Sequence, residues 1–159
     1  MDLAALSRRI ELEDLYTAYA ACLDGDALEA WPEFFTDNCH YRITSAENYE
    51  AGMPLGLIYA TSKNMLHDRV SALRQANIYE PQRYRHVISG IRIDGGHADG
   101  LEVSASFLVI RTMQDGEMIL FAAGRYVDRV ISTGGIWRFA AKEVVLDSRR
   151  IDTLLALPL

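Results

Sequence analysis

Four long segments between residues 83 and 147 carry apolar residues on both faces of an extended chain, and this constrains the fold more than any other feature. In the segment 101–113, Leu101, Val103, Ala105, Phe107 and Val109 fall on one side, with Leu108 and Ile110 on the other. In 117–130, Met118, Leu120, Ala122 and Tyr126 alternate with Ile119, Phe121, Ala123 and Val127. A half-solvated antiparallel strand alternates between apolar and polar residues. Strands apolar on both faces are covered twice, here by the chain's own helices on one face and by another polypeptide on the other. The pattern predicts a subunit of an assembly.

Helical patterning precedes these strands. Leu3, Leu6, Ile10, Leu12, Leu15, Tyr16, Tyr19 and Leu23 recur at helical spacing, which predicts a first helix to about Cys22. Asp24-Gly25 stops it, since glycine readily takes the left-handed conformation used at helix ends. Asp26 is expected to cap a second helix, with Glu29 completing a capping-box-like pair and Trp31, Phe34 and Phe35 forming its apolar face. Pro32 lies too far in for a first-turn proline and predicts a kink or an early break.

A short strand follows over 40–44, then irregular chain over 45–60, where Gly52, Pro54 and Gly56 fall. A third helix begins near Ser62, burying Leu66, Val70 and Leu73, and Pro81 closes the helical half. Asp94-Gly95-Gly96, Asp115-Gly116 and Thr133-Gly134-Gly135 are expected to turn the chain between long strands. Helices followed by antiparallel strands mean an α+β fold. A strongly curved, mostly antiparallel sheet wrapped around the N-terminal helices meets these constraints. With 159 residues and no linker or repeat, one domain over 1–159 is expected.

A net charge of −6 argues against partners that need a basic stripe, namely nucleic acid and anionic membranes. The first residues carry no signal-peptide pattern and no apolar run approaches membrane-spanning length, so the expected compartment is the cytoplasm. Cys22 and Cys39 fall on segments expected to be helical or helix-terminal, and reduced thiols are expected there.

Motif searches find little chemistry. Of the four histidines, His40, His67, His86 and His97, none pairs closely with another, and only His40 has a cysteine beside it. A Rieske cluster requires two cysteines and two histidines in two short pairs, and only Cys39-His40 are adjacent. No two-histidine, one-carboxylate spacing suits a mononuclear iron either, and His67-Asp68 reads as a solvated helix face. The Gly-rich segments are hairpin turns with no helix after them, unlike phosphate loops.

Tyr16, Asp24, Tyr41, His86 and Asp147 are the residue types that a cone-shaped dehydratase or isomerase uses for proton transfer in an apolar cavity. The commoner fate of such tyrosines is a core aromatic with its hydroxyl at a rim, and aspartate beside glycine is at home in a turn. The clusters Arg83-Tyr84-Arg85-His86 and Asp147-Ser148-Arg149-Arg150 could bind an anion. Arginine and tyrosine are also enriched where subunits meet, and that reading is favoured. The apolar tail 154–159 is expected to dock, on its own domain or on a neighbour.

Several segments together are similar to one family. They are Leu15-Tyr16-Thr17-Ala18-Tyr19-Ala20 with Leu23-Asp24, Trp31-Pro32-Glu33-Phe34-Phe35, His40-Tyr41-Arg42 and Asp68-Arg69-Val70-Ser71-Ala72-Leu73. They continue in Pro81-Gln82-Arg83-Tyr84-Arg85-His86, Trp137-Arg138-Phe139 and Val144-Val145-Leu146-Asp147. Their order and spacing resemble the small (beta) subunits of aromatic-ring-hydroxylating dioxygenases. The ending Asp152-Thr153-Leu154 through Leu159 is most similar to those serving terephthalate and benzoate- or salicylate-type oxygenases.

The resemblance implies a cone-like fold of the nuclear-transport-factor/ketosteroid-isomerase type and a non-catalytic role in aromatic acid catabolism. It implies a homotrimer beneath three large subunits, an α3β3 hexamer. The Rieske 2Fe-2S cluster and the mononuclear Fe(II) are then expected in the large alpha subunit, with no cofactor, metal or catalytic residue in this chain. Arg83, Arg85, His86, Asp147, Arg149, Leu157 and Leu159 are the expected subunit contacts. A stand-alone dehydratase or isomerase, or a small-ligand binder, is the alternative, with Tyr16, Asp24, Tyr41 and His86 as its pocket groups.

Overall fold

The computed structural model describes residues 2–54, 56–76, 81–150 and 157–159. Helix α1 spans Leu3–Asp24 and begins at Asp2, whose carboxylate accepts a hydrogen bond from the Ala5 N–H at 2.6 Å. Leu12, Leu15, Tyr16, Tyr19 and Leu23 are buried along one stripe, while Leu3, Leu6 and Ile10 from the same pattern are exposed. The helix ends where expected, by a different device. Gly25 has φ −84° and Asp26 takes the left-handed conformation, φ 56°. Gly25 is needed for space: a Cβ there would meet the Ala21 main-chain oxygen at 2.9 Å.

The second helix is a 3-10 segment, Leu28–Phe34, not an α-helix capped by Asp26. Its N-cap is Ala27, with no side-chain bond. The Asp26 and Glu29 carboxylates instead both receive Arg74, at 3.0 and 2.7 Å. Pro32 lies inside this segment, which ends two residues later, as an interior proline dictates. Strand β1, Phe35–Ser45, starts five residues earlier than expected, so Cys39 lies on a strand. Within 45–60, expected to be irregular, the Ser45 hydroxyl caps a short helix α2, Ala46–Glu50, and strand β2 forms at Ile58–Ala60. Helix α3, Lys63–Ala76, buries Leu66 and Val70, with Leu73 packed partly against the core.

The long strands are β3 (Gln82–His97), β4 (Gly100–Met113), β5 (Met118–Thr133) and β6 (Ile136–Leu146). Asp94-Gly95-Gly96 is not the β3–β4 turn: Gly95 pairs with Glu102 and Gly96 with Leu101, and the chain reverses after His97. The other two turns fall where expected, with Gly116, Gly134 and Gly135 at φ 92°, 61° and 80°. The sheet runs β2-β1-β6-β5-β4-β3, antiparallel throughout except for the β1–β6 pair, which is parallel. This is the expected α+β arrangement. Helix α1 packs on β3 and β6, and α3 packs on β1, so the core lies between the helices and one sheet face. Trp31, Tyr16, Tyr19, Tyr41, Tyr126, Phe35, Phe107 and Phe139 fill that core.

Candidate functional site

The inner sheet face carries an ion pair that the sequence reading missed. Asp128 on β5 stands directly across from Lys142 on β6, and both side chains are wholly excluded from solvent. Lys142 Nζ lies 2.7 Å from Asp128 Oδ2, and the Tyr16 hydroxyl donates to the same oxygen. The ammonium also sits over aromatic faces, 3.6 Å from the centroid of Tyr126 and 4.1 Å from that of Phe139. Burial drives Lys142 down to about 8 and pushes Asp128 up, each held back by its partner's charge. This is a strut between strands. A signal was available, since Asp128 shares strand parity with inward-facing Tyr126 and Val130.

Asp24 and His86 meet at the end of α1. The His86 main-chain N–H donates to the Asp24 carboxylate at 2.9 Å, and Nδ1 approaches Oδ1 at 2.7 Å. A carboxylate only accepts, so Nδ1 carries the proton. The His86 side chain is fully buried and its Nε2 has no hydrogen-bond partner. Asp24 lines a cleft of about 570 Å³ together with Leu23, Arg74, Arg83, Tyr84 and Leu157.

Beside it, residues 157–159 turn into the core. Leu157 and Leu159 are buried, and the Leu159 main-chain oxygen accepts from the hydroxyls of Tyr19 at 2.9 Å and Tyr41 at 3.0 Å. The Leu159 N–H donates back to the Tyr41 hydroxyl at 3.0 Å. Trp31 Nε1 donates to Tyr19 at 3.2 Å and closes the network. Residues 154–156 of the tail lie outside the described residues.

Of the four pocket groups expected from sequence, the structure thus joins only Asp24 and His86. Tyr16 is committed to Asp128, and Tyr41 to Leu159. Burial pushes both hydroxyls well above the ordinary tyrosine range, so they act as donors rather than bases. Among the expected contact residues, His86, Leu157 and Leu159 face this chain's own interior. Arg83, Arg85, Asp147 and Arg149 are exposed, with Arg149 3.4 Å from Glu47.

The outer sheet face differs. Strand pairing aligns Val87 with Leu108 and Ala123, and Arg85 with Ile110 and Leu120. Leu120 is 63% exposed, Met118 70% and Leu108 43%. These side chains form an apolar patch edged by Arg83 and Arg85. Among the described residues no group of three or more His, Cys, Asp or Glu side chains is placed to hold a metal ion, and Cys22 and Cys39 are free. None of the described helices is long and apolar enough to cross a membrane.

Comparison with known proteins agrees with this architecture. Residues 18–153 match the family model described as ring hydroxylating beta subunit. The chain is 45% identical over 150 residues to subunit beta 1 of the terminal oxygenase component of terephthalate 1,2-dioxygenase from Comamonas sp, covering 94% of this chain and 97% of that one. A solved beta subunit assigned to an aromatic-ring-hydroxylating dioxygenase of Novosphingobium aromaticivorans superposes with a TM-score of 0.90 at 40% identity, covering 98% of this chain and 99% of that one. A chain from the same organism assigned as a scytalone dehydratase shares the fold, with a TM-score of 0.68 at 19% identity over 91% of this chain and 87% of its own. The cone-like fold, the matched span and these relatives place the chain in the family of ring-hydroxylating dioxygenase beta (small) subunits.

Proposed function

We propose that this chain is a non-catalytic scaffold of a multicomponent dioxygenase that acts on an aromatic acid. Three copies form a trimer, and three large alpha subunits sit on it in an α3β3 assembly. The Rieske cluster and the mononuclear iron belong to the alpha subunit, which performs the chemistry in the cytoplasm. The outer sheet face carries this reading. A patch of Val87, Leu108, Ile110, Leu120 and Met118, edged by Arg83 and Arg85, is apolar surface of the kind that becomes the core of a subunit contact. The exposed Leu3, Leu6 and Ile10 of α1 offer a second apolar surface. Arg83, Arg85, Asp147 and Arg149 are exposed and positioned to contribute polar contacts around such interfaces.

The test is co-production with a Rieske-type large subunit from the same genome, followed by affinity capture of this chain. Capture of the iron-containing partner in equal amount is the expected result; recovery of this chain alone opposes the proposal. One observation favours a second reading, a stand-alone dehydratase or isomerase. The Asp24–His86 pair, with an unpartnered Nε2, has the form of an oriented general base beside a cleft. Turnover of a small organic compound by the purified chain alone would establish that reading.

A further inference from the structure

The first half of α1 projects past the sheet. None of the residues from Leu3 to Glu11 is buried, yet Leu3, Leu6 and Ile10 recur at the i, i+3, i+7 spacing with which a helix presents one apolar ridge. This ridge is distinct from the stripe that α1 buries, which begins at Leu12. It is also held in place: the Asp2 carboxylate caps the helix, and Trp137 Nε1 on β6 donates to Glu11 at 2.8 Å. A helical segment this short is marginal in water by itself. Fixed, apolar and facing solvent, it is a preorganised contact.

The outer sheet face supplies a surface of matching size and complementary charge. Strand pairing sets Arg83 beside Thr112 and Met118, and Arg85 beside Ile110 and Leu120, so three strands present an apolar field with two arginines along its β3 flank. Three neighbouring strands span about 10 Å, and a helix rises about 10 Å from Leu3 to Ile10. One turn past Ile10 the same face of α1 carries Glu13 and Asp14, both exposed. Ridge then meets field while two carboxylates reach two guanidiniums. Helix α1 packs on the inner side of the sheet and the field lies on the outer side, so one molecule cannot join them. A two-fold pairing of sheet faces would leave every ridge in water. Head-to-tail contact covers both surfaces in each copy, and such a contact closes into a ring.

We propose that copies of this chain join head to tail, the Leu3, Leu6 and Ile10 ridge of one copy seated on Leu108, Ile110, Leu120 and Met118 of the next. Glu13 and Asp14 pair with Arg83 and Arg85 of that next copy. The inference rests on the trimeric scaffold reading and names the two surfaces that build the trimer.

The chain is tested alone if it self-associates, and otherwise in the complex co-produced with a Rieske-type large subunit. Leu6→Cys and Leu120→Cys are made as separate variants, and assemblies holding both are treated with a short bismaleimide. The unsubstituted chain is the blank, because Cys22 and Cys39 are free thiols. The expected result is a two-chain cross-link in the mixed assemblies and none in assemblies of either variant alone. Sedimentation of charge-reversed variants gives a second reading. Arg83→Glu with Arg85→Glu, and Glu13→Arg with Asp14→Arg, are each expected to weaken association at least tenfold. All four changes together are expected to return it to within about threefold of the unsubstituted chain. Every altered side chain is exposed, so the variants are expected to fold; should a charge-reversed one not, the cross-linking result decides. A cross-link in Leu120→Cys alone, none in the mixed assembly, or no recovery in the combined variant overturns the head-to-tail contact and leaves the scaffold reading standing. A chain that assembles neither alone nor with the large subunit overturns both.

Discussion

Lys142 and Asp128 face each other across neighbouring strands with Nζ 2.7 Å from Oδ2, and neither side chain touches solvent. Removing one partner strands the other charge in the core. Lys142→Met is therefore expected to cost about 3–5 kcal/mol. Replacing the whole group, as Lys142→Met with Asp128→Leu and Tyr16→Phe, is expected to recover most of that loss, because paired burial of charge is itself expensive. Denaturant midpoints of the single and triple variants check both outcomes.

Four buried tyrosines give the fold a ceiling in alkaline solution. Tyr16, Tyr19, Tyr41 and Tyr126 are all raised, mainly by burial, so the native state keeps protons that the unfolded chain releases near pH 10. The unfolded state then binds fewer protons, and stability falls as pH rises above that point. Each group contributes a slope of about 1.4 kcal/mol per pH unit, so four together give roughly 5. Lys142 works in the opposite direction between about 8 and its ordinary value, with the weight of a single group. Urea unfolding at pH 8, 10 and 11 measures the slope, and Tyr19→Phe is expected to remove about a quarter of it.

Gly124 holds β5 against β6. A Cβ there would lie 2.0 Å from the Val145 main-chain oxygen, which no side-chain rotation relieves. Gly124→Ala is expected to force the strands apart and cost about 3 kcal/mol or more. Hydrogen exchange should then rise first along 124–128 and 142–146. By contrast, Gly116→Ala meets no neighbouring atom and pays only for its left-handed backbone, φ 92°.

The outer face is separable from the core. Leu120→Lys and Met118→Lys alter side chains that are 63% and 70% exposed, so each is expected to shift stability by no more than about 0.5 kcal/mol. Both are expected to weaken self-association and capture of the large subunit. Sedimentation of each variant, set beside its melting curve, separates the two effects.

Much of this fold was legible because strand periodicity is a strong local signal. The inward set from Leu101 to Val109 and the turns at Gly116 and Gly134 fall where the pattern puts them. The β3–β4 turn was misplaced because Gly95 and Gly96 look like turn residues, yet they pair in the ladder. The parallel β1–β6 pairing leaves no local mark, since it joins residues about a hundred positions apart. Among the pocket groups, the Asp24–His86 contact spans 62 positions and the Tyr41–Leu159 contact 118, distances over which composition says nothing about partners. Lys142 was passed over because a lone lysine in a strand normally points to water.

In the proposed role the exposed apolar sheet face is an interface, and this chain acts within an assembly. Native mass spectrometry of the chain co-produced with a Rieske-type large subunit from the same genome tests it most directly. The expected result is a complex with equal numbers of both chains, three of each, with all iron on the large subunit, and its loss in Leu120→Lys. A monomer that ignores the large subunit, or a complex indifferent to Leu120→Lys and Met118→Lys, would contradict it.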